Sequence, residues 1–212
     1  VAEGVTSWNI IEALKDADFL SGEAPEELPA EGTLAPDTYE VAKGTSRADV
    51  IRRMEAAQEA ILAEAWELRA DDLPISSQDE ALILASIIEK ETSVPDERGL
   101  VAGVFTNRLR RGIRLQTDPT VIYGITQGQR TLGRGIRRSE LRRETPWNTY
   151  TIDGLPPTPI ANPGRAAIEA ALNPEATDLA SGVPRPRLFD DDDRSLDAAR
   201  PAADPDPEEP PS

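Results

Sequence analysis

The residues Leu84–Thr92 read LASIIEKET, and the second glutamate of that run is placed where a carboxylate needs a reason. Ala81, Leu84, Ile87 and Ile88 recur at spacings of three and four, which marks one buried face of an α-helix. A further step of three reaches Glu91. At roughly 100° per residue its carboxylate falls within the apolar face, whereas Glu89 and Lys90 are expected to point away from it. A carboxylate there is costly unless it is neutral, paired or hydrogen-bonded. Two readings follow. One is an ion pair with an arginine of the downstream segment ERGLVAGVFTNRLRR. The other is a general acid whose pKa is raised by an apolar pocket, so that it keeps a proton near neutral pH.

Two polar clusters accompany this glutamate. Gln116, Thr117, Asp118 and Thr120 place four hydrogen-bonding side chains within five positions, close to Tyr123. Asn148, Thr149 and Tyr150 precede the proline-stiffened stretch LPPTPIANPG. Turn chemistry accounts for each cluster taken singly. Combined with an inward glutamate, these amides, hydroxyls and tyrosine rings suggest a cleft for a polyhydroxylated ligand, a carbohydrate. Asn107 lies near the edge of an apolar helical stripe and is a further candidate for that cleft. The chain holds neither histidine nor cysteine. Histidine-based triads, imidazole bases, thiol chemistry, disulfides and the usual zinc sites are thereby excluded, and acid–base work falls to carboxylates, Lys or Tyr.

These residues need elements to hold them. A short helix is expected over residues 5–15, capped by Thr6 or Ser7. A short strand is expected at Thr38–Val41, after a connection rich in Pro, Glu and Gly. From Ser46 to about Arg69, Val50, Ile51, Met54, Ile61 and Leu62 repeat at helical spacing. Ser76 or Ser77 caps the helix that carries Glu91, with Asp79 and Glu80 in a first turn whose dipole favours acid. Another helix spans about 97–110, with Leu100, Val101, Val104, Phe105 and Leu109 inward. Asp118–Pro119 sets a turn or helix start, and a short helix covers Arg165–Leu172.

The 212 residues, 38% hydrophobic and 29% charged, suit one soluble domain with appendages. Net charge is −16, the opposite of what a nucleic-acid binder shows. Within that balance the region from Arg98 to Arg143 is basic, and a solvated face explains it more simply than a polyanionic partner. No apolar run is long enough to span a bilayer. The chain starts at Val1 rather than Met, so an upstream anchoring or targeting segment is expected. From Ser181 onward the composition turns to Asp, Arg, Pro and Ala, a pattern of disorder.

Four segments in series, ASIIEKET, ER..VAGVF.NRL, LQTDPTVIYG and NTY.IDGLPPTPIANPG, closely resemble the YceG-like (MltG) family of endolytic murein transglycosylases. The resemblance implies one catalytic glutamate on the second Glu of EKE, here Glu91, the residue that helical phase selects independently. It further implies cleavage of the bond between N-acetylmuramic acid and N-acetylglucosamine in nascent peptidoglycan strands, leaving 1,6-anhydro ends. No metal or organic cofactor is implied. The implied setting is the inner membrane, with the catalytic domain facing the periplasm and an N-terminal anchor outside this chain; cell-wall synthases of the penicillin-binding type are implied partners.

The expected fold is α+β: a mainly helical catalytic core with short β-strands and a small N-terminal region, the remnant of a LysM-like unit. The expected divisions are 1–75 for the N-terminal region and connecting helix, 76–180 for the catalytic core and 181–212 for the acidic tail. Gln116, Thr117, Asp118, Thr120, Tyr123, Asn148, Tyr150 and Asn107 are the expected substrate residues. Where the family continues into an aromatic-rich strand and a His-Xaa-Phe segment, this chain reads DLASGVPRPRLFDDDD, which suggests a change of reading frame near Asp178. A hydrolytic muramidase and a non-catalytic peptidoglycan-binding partner of a synthase are the alternatives.

Overall fold

Hydroxyl side chains set the first three helix starts by accepting from backbone N–H groups that have no partner within the helix. The computed structural model describes residues 1–180. In it, the Thr6 hydroxyl accepts from the Asn9 amide at 3.3 Å and opens α1 (Ser7–Lys15). Ser46 accepts from Asp49 at 3.0 Å and opens α2 (Arg47–Glu67). Ser77 accepts from Glu80 at 3.1 Å and opens α3 (Gln78–Glu91). A single 3-10 turn, Pro95–Glu97, leads into α4 (Arg98–Arg110). The remaining helices are α5 (Asp118–Thr126), the one-turn α6 (Arg138–Leu141) and α7 (Arg165–Leu172).

The helix that carries Glu91 is the centre of the molecule. Every residue from Ala81 to Ile88 is buried, so α3 has no solvent face over two turns. It packs against α7, α4, α2 and α5. Leu84, Ile87, Val101, Phe105, Leu115, Ile168 and Leu172 are among the core residues around it. Truncating one such Leu or Ile to Ala costs about 2–5 kcal/mol. A second, smaller cluster joins Ile10 and Ile11 of α1 to Leu20, Leu34, Val50, Ile51 and Met54. The first half of α2 therefore serves the N-terminal region, while Leu62 and Ala65 in its second half serve the main core. Arg47 secures the connection, its guanidinium donating to the carbonyls of Leu14, Lys15, Ala17, Leu20 and Gly22.

The strands of the expected α+β fold are not found among the described residues. The fold is mainly helical, and the pairing outside helices is one isolated parallel bridge between Ser21 and Ser46. Residues 38–41 form no regular element and have no ladder partner among the described residues. Side chains hold them instead: Tyr39 and Val41 pack on the smaller cluster, and the Tyr39 hydroxyl donates to the Ala35 carbonyl at 2.9 Å. Farther on, residues 175–180 cross α4. The Glu175 amide donates to the Gly99 carbonyl at 3.0 Å, and the Asn107 side-chain amide donates to the carbonyls of Thr177 and Leu179 at 2.5 and 2.9 Å. Gly103 makes the crossing possible, because a Cβ there would stand 2.3 Å from the Glu175 carbonyl oxygen. The tail expected at 181–212 lies outside the described residues.

Candidate active site

Glu91 is the last residue of α3, and the chain leaves the helix at once through an extended Thr92. Its side chain is carried inward as the helical phase predicts, and the residue keeps 8% of its surface exposed. That burial strips most of the water from the carboxyl. The Thr117 hydroxyl donates to Glu91 Oε2 at 2.7 Å. Burial pushes the Glu91 pKa above the ordinary carboxylate value; the Thr117 bond opposes the rise, the Asp118 charge adds to it and Arg108 opposes it. Its place at the C-terminal, negative end of a helix also favours the neutral form.

The arginine partner foreseen for Glu91 belongs to Glu89. Arg98 approaches Glu89 Oε1 at 3.7 Å, and the Gly164 amide donates to Glu89 Oε2 at 2.9 Å. Glu89 was expected to face solvent, yet its side chain is only 6% exposed. The face that should have been wet is covered by the N-terminal segment and the start of α7. Among the described residues Glu91 itself has no ion pair, only the longer-range field of Arg108.

Thr117 is positioned from two sides. It is the residue before α5, and Gln116 ahead of it adopts a left-handed φ of 50°, uncommon for a side chain of its kind. The Gln116 amide donates to the Thr149 carbonyl at 3.1 Å, and the Thr117 amide to Thr149 Oγ1 at 3.0 Å. Thr120 Oγ1 donates to the Thr117 carbonyl at 2.7 Å and lies 2.8 Å from Thr149 Oγ1. Thr117, Thr120 and Thr149 are all buried, and the hydroxyls of the last two hold the Thr117 backbone in place, leaving its own hydroxyl for Glu91. The Tyr150 hydroxyl donates to Asp118 Oδ1 at 2.6 Å, which orients that carboxylate beside Glu91.

The other expected residues divide. Gln116 is exposed, with its side chain open to a ligand. Tyr123 packs against Trp147 in a tilted arrangement, ring centroids 5.7 Å apart and planes at 59°, and its hydroxyl donates to Glu31 Oε2 at 3.3 Å. Burial raises the pKa of Tyr123 and also that of Glu31. Asn148 is buried, and its amide is spent on three backbone carbonyls, Glu140, Leu141 and Arg143. It supports the cleft wall from behind. Asn107 clamps residues 177–179 to α4 and borders a groove of about 490 Å3 with Leu73, Thr106 and Arg110. No hydrogen bond among the described residues joins it to the Glu91 group.

Sequence reasoning did not single out Glu31 or Arg108, and it named Thr149 in a polar cluster without counting it among the substrate residues. Glu31 sits in a Pro/Gly-rich loop without periodicity, and Arg108 is one of several neighbouring arginines. Thr149 stood beside two more conspicuous residues. Among the described residues no three His, Cys, Asp or Glu side chains gather where they could share a metal ion.

A model of the YceG-like family matches residues 1–181. The chain is 37% identical over 151 residues to a Bacillus subtilis (strain 168) protein named endolytic murein transglycosylase, covering 71% of this chain and 40% of that protein. A protein of the same name from Streptococcus pneumoniae serotype 2 (strain D39) is 33% identical over 197 residues, covering 83% of this chain and 34% of that one. The chain thus spans less than half the length of these relatives. A crystal structure of a yceG-like protein from Listeria monocytogenes superposes with a TM-score of 0.67 at 31% identity, over 85% of this chain and 67% of that one.

Proposed function

The chain belongs to the YceG-like family, and from that premise we propose that it is a lytic transglycosylase of murein glycan strands with Glu91 as catalytic acid and base. The observation that carries the reading is the environment of Glu91: a buried carboxyl, unpaired by any cation among the described residues, with a raised pKa and one hydroxyl partner. The names of the relatives supply the substrate class.

In this reading neutral Glu91 gives its proton to the glycosidic oxygen between the muramoyl C1 and the next sugar, and the C1–O bond breaks. The resulting Glu91 carboxylate keeps the Thr117 hydroxyl as donor, which stabilises the charge as it forms. It then takes the proton of the muramoyl C6 hydroxyl, whose oxygen bonds to C1 and closes a 1,6-anhydro ring. Glu91 is neutral again, and no water has entered. Gln116, Tyr123 and Tyr150 line the approach, while Thr120 and Asn148 hold the wall that they stand on. The same reading puts the site outside the cytoplasmic membrane, acting on strands delivered by a synthase.

A hydrolytic reading has one observation in its favour, the Asp118 carboxylate beside Glu91, since glycosidases that use water or a covalent intermediate work with two carboxylates. Mass spectrometry of the digested strands separates the two. Anhydro-ended products, one water lighter than reducing-end products, are expected; reducing ends alone would establish hydrolysis instead.

A further inference from the structure

The exposed segment 127–144 carries six arginines against two glutamates, in a chain whose net charge is −16. Arg130, Arg134, Arg137, Arg138, Arg142 and Arg143 are all solvent-exposed. Glu140 binds Arg134 at 2.6 and 2.8 Å, and its field reaches Arg137. The side chains of Arg130, Arg138, Arg142 and Arg143 have no hydrogen-bond or ion-pair partner among the described residues. Arg138 and Arg142 lie four residues apart at the two ends of α6, where like charges repel. A solvated face tolerates such an arrangement, but two features point to a ligand.

The first is attachment to the cleft. The Asn148 amide donates to the carbonyls of Glu140, Leu141 and Arg143 at 3.3, 3.1 and 2.7 Å. The next residue, Thr149, holds Thr117, and Thr117 holds Glu91. A continuous line of short bonds therefore fixes the arginine-bearing turn to the same wall as the catalytic carboxyl. The second is what the segment lacks. The exposed large apolar side chains of the described residues include Phe19, Leu28, Leu68, Val94 and Ile113, and none lies between 127 and 144. A bilayer would meet mainly charge there, since the segment's large apolar side chains, Leu132, Ile136 and Leu141, are all partly buried. Arginine's planar fork matches carboxylates bidentately.

We infer that the arginines of α6 and its flanks form a subsite for the carboxylates of a murein strand, those of its peptide stems or, where a stem is absent, of the lactyl arm itself, continuing the Glu91 cleft. The inference rests on the reading of such strands as substrate. It assigns the basic segment to substrate selection: strands with free carboxylates are held, and strands whose carboxylates are masked by amidation are held less well.

The test is binding of labelled uncrosslinked strand fragments, read by fluorescence anisotropy on the Glu91→Gln chain so that no cleavage is needed. One fragment keeps its carboxylates and the other has them converted to methylamides. At low salt the free-carboxylate fragment is expected to bind about fivefold tighter, a gap of the size that a few exposed ion pairs supply. The gap should close at high salt and in the Arg138→Gln/Arg142→Gln/Arg143→Gln variant. Equal binding of the two fragments, or a gap that survives the triple substitution, overturns the inference. So does a triple variant that loses binding to phosphatidylglycerol vesicles while keeping the gap, since the arginines would then serve a bilayer. Strands bound with the expected gap but left intact by the unsubstituted chain sink the cleavage reading alone; strands cleaved without any gap sink this inference alone.

Discussion

A glutamate near the end of a buried helix needs a partner or a proton, and α3 ends with two whose surroundings differ although burial raises the pKa of both. Glu89 has Arg98 and the Gly164 amide; Glu91 has a threonine hydroxyl and a cleft. Helical phase was sufficient to turn Glu91 inward, because the positions before it are strictly apolar at three- and four-residue spacing. It misjudged Glu89, because phase divides a helix into two faces and α3 is covered on both. The hydroxyl that separates the two glutamates functionally offers a prediction. Thr117 favours the Glu91 carboxylate, so Thr117→Val should raise the Glu91 pKa further. If neutral Glu91 is the acid, the rate falls as pH rises through that pKa. The alkaline limb of kcat/KM against pH should therefore move upward in Thr117→Val, in the direction that the loss of one charge-assisted bond dictates. A limb that stays in place or moves down would show that Thr117 does not set the proton affinity of the acid.

At the scale of elements, the helices were legible wherever an end signal was written locally. Thr6, Ser46 and Ser77 each cap the helix that their position announces. The strand expected at 38–41 was misjudged, because alternation of side chains fits many irregular segments and pairing depends on a neighbour that is not found among the described residues. The one-turn α6 was missed for the converse reason: four residues are too few to display a period. Close approaches between elements are equally silent in sequence. Gly103 reads as an unremarkable interior glycine, yet α4 needs it to let Glu175 cross. Gly103→Ala should destabilise the protein by about 1–3 kcal/mol, despite alanine's better helix propensity. For a chain of this size the expected drop in Tm is about 3–8 °C. A Tm at or above that of the unsubstituted chain would mean that the crossing relaxes freely.

At the scale of the molecule, charge and burial pull stability in one direction. Glu31, Glu89 and Glu91 all have pKa values raised first by burial. Each contributes stability that is fully present below the unfolded carboxylate value of about 4.3 and lost as pH rises through its folded value. The net charge of −16 adds self-repulsion over the same range. Glu140, held by Arg134 down to about 2, acts oppositely and loses its contribution as pH falls below the unfolded value. Tm should therefore peak in the mildly acidic range and decline steadily toward pH 8. A Tm that climbs from pH 5 to pH 8 would contradict this balance. The sequence located the basic run from Arg98 to Arg143, but not the burial of Glu31, Glu89 and Glu91, which depends on segments distant in the chain.

The central claim is tested most directly by incubating uncrosslinked murein strands with the chain and with Glu91→Gln, and quantifying anhydro-ended fragments by mass spectrometry. Glutamine keeps the size and the hydrogen bond of Glu91 but has no proton to give. Anhydro-ended fragments are expected from the unsubstituted chain, and at least about a hundredfold fewer from Glu91→Gln. Equal yields from both would remove Glu91 from the chemistry and contradict the account.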